Sequence, residues 1–281
     1  MYDYDALEAL HFAVDLGSFS LAAQKLGLTQ AAVSLRIKKL ESTLGRSLLQ
    51  KRTPPIISQH GKELLLHYVK VKLLENELDK NFNEAITFPV AINAESMDSW
   101  FFKSISQIKK SYKKIIFDIK VSDQDQSLAM LNNSEVLACI SSKKASEHIF
   151  KNYYLGEFNY SFYKAPHVKS QKFNAEFPVC KYSKDDILHR YFIKKTNVAE
   201  YILPSTTALL NACLEGFGAA VLPEYIAQPH LKKKRLVEII PSKKYQQKLY
   251  WCCIHSKSSF LNNLSKQLCI DFDSFNKKQS A

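Results

Sequence analysis

The sequence has no two cysteines at C-x2-4-C spacing, no two histidines at H-x3-5-H spacing, and no long uninterrupted apolar run. Each absence removes a class of function. Without ligand spacing in its Cys and His residues the chain offers no zinc site, and no metal is expected. A helix spanning a membrane needs roughly 18 to 20 apolar residues, and nothing here approaches that length. The start, "MYDYDALEAL", carries acidic residues at helical spacing in place of a basic segment and an apolar core, so no secretory leader is read and the expected location is the cytoplasm. The adjacent Cys252 and Cys253 lie in an apolar, strand-like run, and all six cysteines read as reduced core thiols. There is also no G-x-S-x-G, no G-K-S/T phosphate loop and no H-E-x-x-H, so an enzyme is not expected.

What is present is a globular composition with an excess of positive charge. The 281 residues are 46% hydrophobic, enough for one large domain or two modest ones. Thirty-nine Lys and Arg against 27 Asp and Glu give a net charge of +12. Such a field attracts polyanions, either nucleic acid or an anionic membrane surface.

Motifs near the start choose between them. Residues 5 to 16, "DALEALHFAVDL", repeat apolar residues at helical period and end at Gly17. Ser18 or Ser20 can cap a second helix through "LAAQKL", whose Ala22 and Ala23 permit close helix approach, and Gly27 supplies a turn. Thr29 then caps a third helix. Helix, short glycine turn and helix is the pattern in which the second helix of the pair lies in a DNA major groove. Ala32, Val33, Ile37 and Leu40 can face inward, leaving Gln30, Ala31, Ser34 and Arg36 at the exposed N-terminal turns. Gln suits an adenine edge, Arg a guanine edge, Ser either, and a small Ala a thymine methyl. Lys38 and Lys39 sit further along, where phosphate contacts add salt-dependent affinity. The following "GRSLLQKRTPPIIS" outlines a small basic hairpin carrying Lys51 and Arg52. The competing reading is a helical hairpin with a solvated polar face.

The stretch "GSFSLAAQKLGLTQAAVSLRIKKLESTLGRSLLQKR" resembles the winged helix-turn-helix of LysR-type transcriptional regulators, over about the first eighty residues. The resemblance implies that Gln30, Ala31, Ser34 and Arg36 contact bases or their phosphates, with Arg52 in the wing. Ala31 departs from the proline that much of the family has there.

From Ser58 to about Asp79 no proline interrupts the chain, and Leu64, Tyr68, Val71, Leu74 and Leu78 recur at three- and four-residue steps. One long amphipathic helix is expected, its seam paired with a second copy of the chain or packed on the chain's own second domain. In the family this helix mediates dimerisation. The domains are thus expected as 1–60 for DNA binding, 61–86 for linker and hinge, and 87–281 for effector binding.

Beyond residue 86 the pattern runs strand "FPVAINA", helix "SWFFKSISQIKKS", strand "KIIFDIKV", helix "DQSLAMLNN", strand "EVLACIS". That order predicts a mostly parallel sheet with ligands beyond the carboxyl ends of its strands. The loops at 93–96, 122–125 and 141–144 are polar. Further on, "TTALLNACLEGFGAAVLPEYI" predicts a helix, a turn at Gly216 and Gly218, a short strand and another helix from Pro223; it resembles the Gly-x-Gly-x-x-x-Leu-Pro element of the same family.

The fold class is therefore an N-terminal all-α winged helix-turn-helix with a long linker helix, followed by a C-terminal α/β effector domain. The resemblance implies two lobes like those of periplasmic binding proteins, with ligand in the cleft. "FPVAINAESMDSWFF", "PVCKYSKDDILHRYF", "QKLYWCCIHSKS" and "LLQKRTPP" are similar to the family's arginine- and lysine-responsive branch, so lysine or arginine is the effector implied. No cofactor is expected. An α-carboxylate suits the hydroxyls of Ser96, Ser141, Ser205 and Thr206, with Asn93 in the same first loop; a cationic side chain suits Glu95, Asp123, Asp125 and Asp185, with Asp123 the first choice. The plainer reading makes these acids solvated loop tips and the Ser and Thr helix caps. The expected partners are double-stranded DNA, the effector, a second copy in a homodimer or homotetramer, and RNA polymerase; no membrane is expected. The competing function is an architectural or replication-origin protein with little sequence preference.

Overall fold

A computed structural model describes residues 2–78, 85–122, 124–169, 176–193 and 198–279. Three helices open the chain: α1 (Tyr4–Asp15), α2 (Phe19–Leu26) and α3 (Gln30–Leu44). Each begins on a side-chain cap. Asp3 accepts from the Ala6 N–H, Ser18 from Leu21 and Thr29 from Ala32, satisfying donors that have no partner within the helix. Of the two serines weighed as cap for α2, Ser18 takes the role. Gly27 and Gly45 end α2 and α3 in the left-handed conformation, at φ 65° and 63°. The interior of this unit is Leu7, Leu10, Ala13, Ala22, Ala23, Val33, Ile37 and Leu40, all buried.

A hairpin follows, β1 (Leu49–Arg52) antiparallel to β2 (Pro55–Ile57), with Lys51 opposite Ile56. Glu41 of α3 fixes its root: the carboxylate accepts from the backbone N–H groups of Leu48 (2.9 Å) and Leu49 (3.3 Å) and from the Ser47 hydroxyl. The long α4 (Gln59–Leu78) comes next. Its expected seam divides. Leu64 and Tyr68 are buried within the chain, and the Tyr68 hydroxyl donates to Glu8 of α1 (3.3 Å), while Leu74 is exposed. Leu78's side chain lies outside the described residues. Burial of Leu64 and Tyr68 means that the chain itself covers part of the face expected to meet a second copy, while on the opposite side of α4 Lys62 pairs with Glu135 at 2.7 Å.

The remaining elements are β3 (Ile86–Ile92), α5 (Ala94–Ser96) running through a π-helical turn at Met97–Phe101 into α6 (Phe102–Ser111), β4 (Ile115–Val121), α7 (Gln124–Asn132), β5 (Ala138–Ser141), β6 (Phe150–Lys164), β7 (Val179–Lys181), α8 (Leu188–Phe192), β8 (Glu200–Ile202), α9 (Thr206–Leu214), β9 (Ala219–Pro223), α10 (Glu224–Lys232), β10 (Val237–Glu238), β11 (Tyr245–Ile254) and α11 (Ser259–Gln279). They divide between two compact units. The first holds the chain up to Asn93, Phe101–Tyr153 and Trp251–Cys269; the second holds Ala94–Trp100, Tyr154–Tyr250 and the chain from Ile270. The chain thus crosses between units within β6, β11 and α11.

In the first unit β3 lies between β4 and β5, parallel to both, as the β-α-β-α-β order predicts. Phe88 packs edge to face on both Phe117 and Phe260 in its core, and the buried Trp251 indole N–H donates to Ser265 (2.9 Å). The second unit departs from the parallel expectation. β7 is parallel to β8 and β9, but β6 runs antiparallel to both β9 and β10. Gly156, at φ 145°, lets β6 approach α11 closely; a Cβ there would lie 2.6 Å from the Phe272 ring. Phe272 packs edge to face on Trp100 and, tilted, against Phe158 to form this unit's aromatic core. The six cysteines are free, five of them buried.

Candidate DNA-reading and effector-binding sites

Helix α3 presents two kinds of surface. Val33, Ile37 and Leu40 point inward, while Thr29, Gln30, Ala31, Lys38 and Lys39 are exposed and Ser34 and Arg36 half-exposed. Thr29 spends its hydroxyl oxygen on the cap, so its place at the surface serves the helix first. Arg36 sits to one side, its guanidinium 3.7 Å from the Asp5 carboxylate of α1, an exposed pair of small energetic weight that DNA can displace. Lys51 is exposed at the hairpin; the Arg52 side chain lies outside the described residues. Leu35, which the charge pattern did not single out, is the most exposed large apolar side chain among the described residues, at 68%.

The candidate effector groups fall in both units. In the first, Asn93 at the end of β3 and Ser141 at the end of β5 are buried, and the Ser141 hydroxyl accepts from the Lys143 N–H (3.2 Å). Asp123 lies outside the described residues, as does the side chain of Asp125. In the second unit Ser96 is fully buried with no hydrogen-bond partner for its hydroxyl. Glu95 beside it is half-buried in α5, just before the π-helical turn at Met97–Phe101, a helical irregularity common at functional sites. The Tyr225 hydroxyl donates to the Glu95 carbonyl (3.2 Å). Burial, and then the negative charge of Glu95, raise the pKa of both Tyr160 and Tyr225, so both phenols stay neutral.

Ser205 and Thr206 meet at the start of α9. Ser205 caps the helix through the Ala208 N–H (3.3 Å), whereas Thr206, only 5% exposed, has a buried hydroxyl with no partner. Asp185 is exposed in a loop; its neighbour Asp186 is the one engaged, accepting from the Tyr182 and Leu188 N–H groups (3.0 Å each).

One charged cluster, with buried Lys181 and His189 meeting a partly exposed carboxylate, was not anticipated. Lys181 on β7 reaches the Glu200 carboxylate of β8 at 2.6 Å, and His189 of α8 lies 3.1 Å from the other oxygen of the same carboxylate. The Lys181 hydrogen bond holds Glu200 below its ordinary pKa, and burial holds His189 below its own. The only available signal was three ionisable residues in a region of weak periodicity.

Among the described residues no group of His, Cys, Asp and Glu could hold a metal ion, and no helix is long and apolar enough to cross a membrane.

Comparison with known proteins gives a consistent picture. Residues 4–60 match the bacterial regulatory helix-turn-helix protein, lysR family. Over 286 aligned residues the chain is 29% identical to the HTH-type transcriptional regulator ArgP of Pseudomonas aeruginosa, covering 95% of each. The crystal structure of ArgP from Mycobacterium tuberculosis superposes with a TM-score of 0.81 over 98% of both chains, at 24% identity. Full-length LysG from Corynebacterium glutamicum with bound effector Arg superposes with a TM-score of 0.74 over 97% of this chain and 98% of that one, at 23% identity.

Proposed function

We infer, since the chain belongs to the LysR-type transcriptional regulators, in the branch that holds ArgP and LysG, that it binds specific DNA under the control of a basic amino acid. The observation that carries the DNA half is α3: a capped helix whose inner face is fully occupied and whose outer face offers Gln30, Ala31, Ser34, Lys38 and Lys39 to a groove, with Lys51 of the hairpin at hand for the backbone. Gln30, Ser34 and Arg36 read base edges; Lys38, Lys39, Lys51 and Arg52 hold phosphates; Thr29 organises the helix start.

The effector is arginine or lysine. LysG carries bound Arg, and here the half-buried Glu95 with its neighbouring neutral tyrosines suits a cationic side chain by charge and by cation–π attraction. The unpartnered hydroxyls of Ser96 and Thr206, the latter at a helix N-terminus, suit an α-carboxylate; a buried hydroxyl without a partner is costly unless a ligand supplies one. Asn93, Asp123, Asp125, Ser141, Asp185 and Ser205 complete the candidate set, with the Ser141 hydroxyl bonded within its own turn and Ser205 serving mainly as the cap of α9. The regulator works as an oligomer of identical chains, for which the exposed Leu74 of α4 offers part of a seam, and needs no cofactor.

The test is competition binding of a duplex from upstream of its own gene against random-sequence duplex at two salt concentrations. A specific regulator keeps a preference for its own site at both. Equal loss of affinity with salt on all sequences identifies the phosphate-only, architectural alternative.

A further inference from the structure

We propose that Leu35 is a specificity-determining residue of the DNA-reading helix, selecting sites that present a thymine methyl in the major groove. The proposal rests on α3 being that helix. The buried residues of α3 are Val33, Ile37 and Leu40, and at 3.6 residues per turn the stripe opposite them is Ala31, Leu35, Lys38 and Ser42. All four are exposed. Leu35 stands at the centre of that stripe, one turn on from Ala31, where the N-terminal half of the helix enters the groove.

A lone exposed leucine needs no explanation on an ordinary surface. Here its surroundings define what can cover it. Lys38 and Lys39 beside it and Lys51 on the hairpin make the neighbourhood cationic, so an apolar protein partner would have to bury uncompensated charge, whereas a polyanion neutralises it. Within a major groove the one apolar feature of the base edges is the C5-methyl of thymine. Leu35 has no hydrogen-bonding group and cannot read a donor or acceptor. It also reaches further than Ala31, whose single methyl lies close to the backbone.

The test uses the full-length protein. Duplexes are selected from a random pool with the wild-type chain and with Leu35→Ala, and each thymine shared by the wild-type winners is then replaced by deoxyuridine, which removes only the methyl group. At one thymine per half-site, uracil is expected to weaken wild-type binding by about fourfold, the transfer value of one buried methyl group, while Leu35→Ala binds both versions equally and melts at an unchanged temperature. Wild-type protein indifferent to uracil at every position, or Leu35→Ala keeping the same discrimination, overturns the proposal. Failure of the wild type to enrich any sequence would instead overturn the DNA-reading assignment of α3, and Leu35's role with it.

Discussion

Lys181, His189 and Glu200 make the second unit's stability sensitive to acid. The His189 Nε2–H donates to Glu200, and the buried Nδ1 has no partner, so a second proton would add an unsatisfied donor and a charge at once. The folded state therefore holds His189 below its ordinary 6.5 and binds fewer protons than the unfolded chain. Its contribution is intact above pH 6.5 and is lost as pH falls from there through the folded value. Glu200, held below 4.5, adds a second loss of the same sign at lower pH. Thermal melting of the full chain should thus fall progressively below pH 6.5, and His189→Phe should flatten the upper part of that decline. A wild-type melting temperature constant from pH 7 to pH 5 would contradict this. At Glu95, substitution by Gln should weaken arginine binding ten- to a hundredfold, the range of about 1.5 to 3 kcal/mol for a hydrogen bond to a charged group, with DNA binding kept. Calorimetry on the variant decides it.

At the scale of elements, the caps and the hairpin root are where single changes act through geometry. Thr29→Ala should cost about 1 kcal/mol in denaturant unfolding and lower DNA affinity beyond that by fraying the helix start. Glu41→Ala releases two backbone N–H groups and frees the hairpin, so the phosphate contact of Lys51 should be lost without any change at the base-reading face. The check is a salt titration in which Glu41→Ala and Lys51→Ala each reduce the slope by about one. Elements like these were readable from sequence because the signals are local: Thr29, Gly17 and Gly27 mark the helix ends, and the β-α-β-α-β order of 86–141 announces its parallel strands. β6 was not readable. Its Phe150–Lys164 run is rich in aromatics, but its antiparallel pairing with β9 and β10 depends on contacts 57 to 75 residues away in sequence. Nor was the fate of the α4 stripe, because apolar periodicity says that a face is buried and not by what. Tyr68 turned toward Glu8 and His11 of its own chain. For the candidate effector groups, topology picks out loops at the strand ends, while the unpartnered state of Ser96 and Thr206 exists only in three dimensions, as does the pairing of Lys181 with Glu200 elsewhere in the second unit.

For the whole molecule, the proposed function joins two ligands, DNA drawn by the +12 charge and a basic amino acid, in one linked equilibrium. If the basic amino acid alters how the chain sits on DNA, then DNA must alter affinity for the amino acid by the same factor. The most direct measurement is calorimetric titration of the full-length protein with arginine, lysine and glutamate, each with and without a saturating duplex from upstream of its own gene. Saturable binding of arginine or lysine but not glutamate, with affinity shifted by the DNA, is the predicted result. Binding of none of the three while the DNA is still bound specifically would contradict control by a basic amino acid.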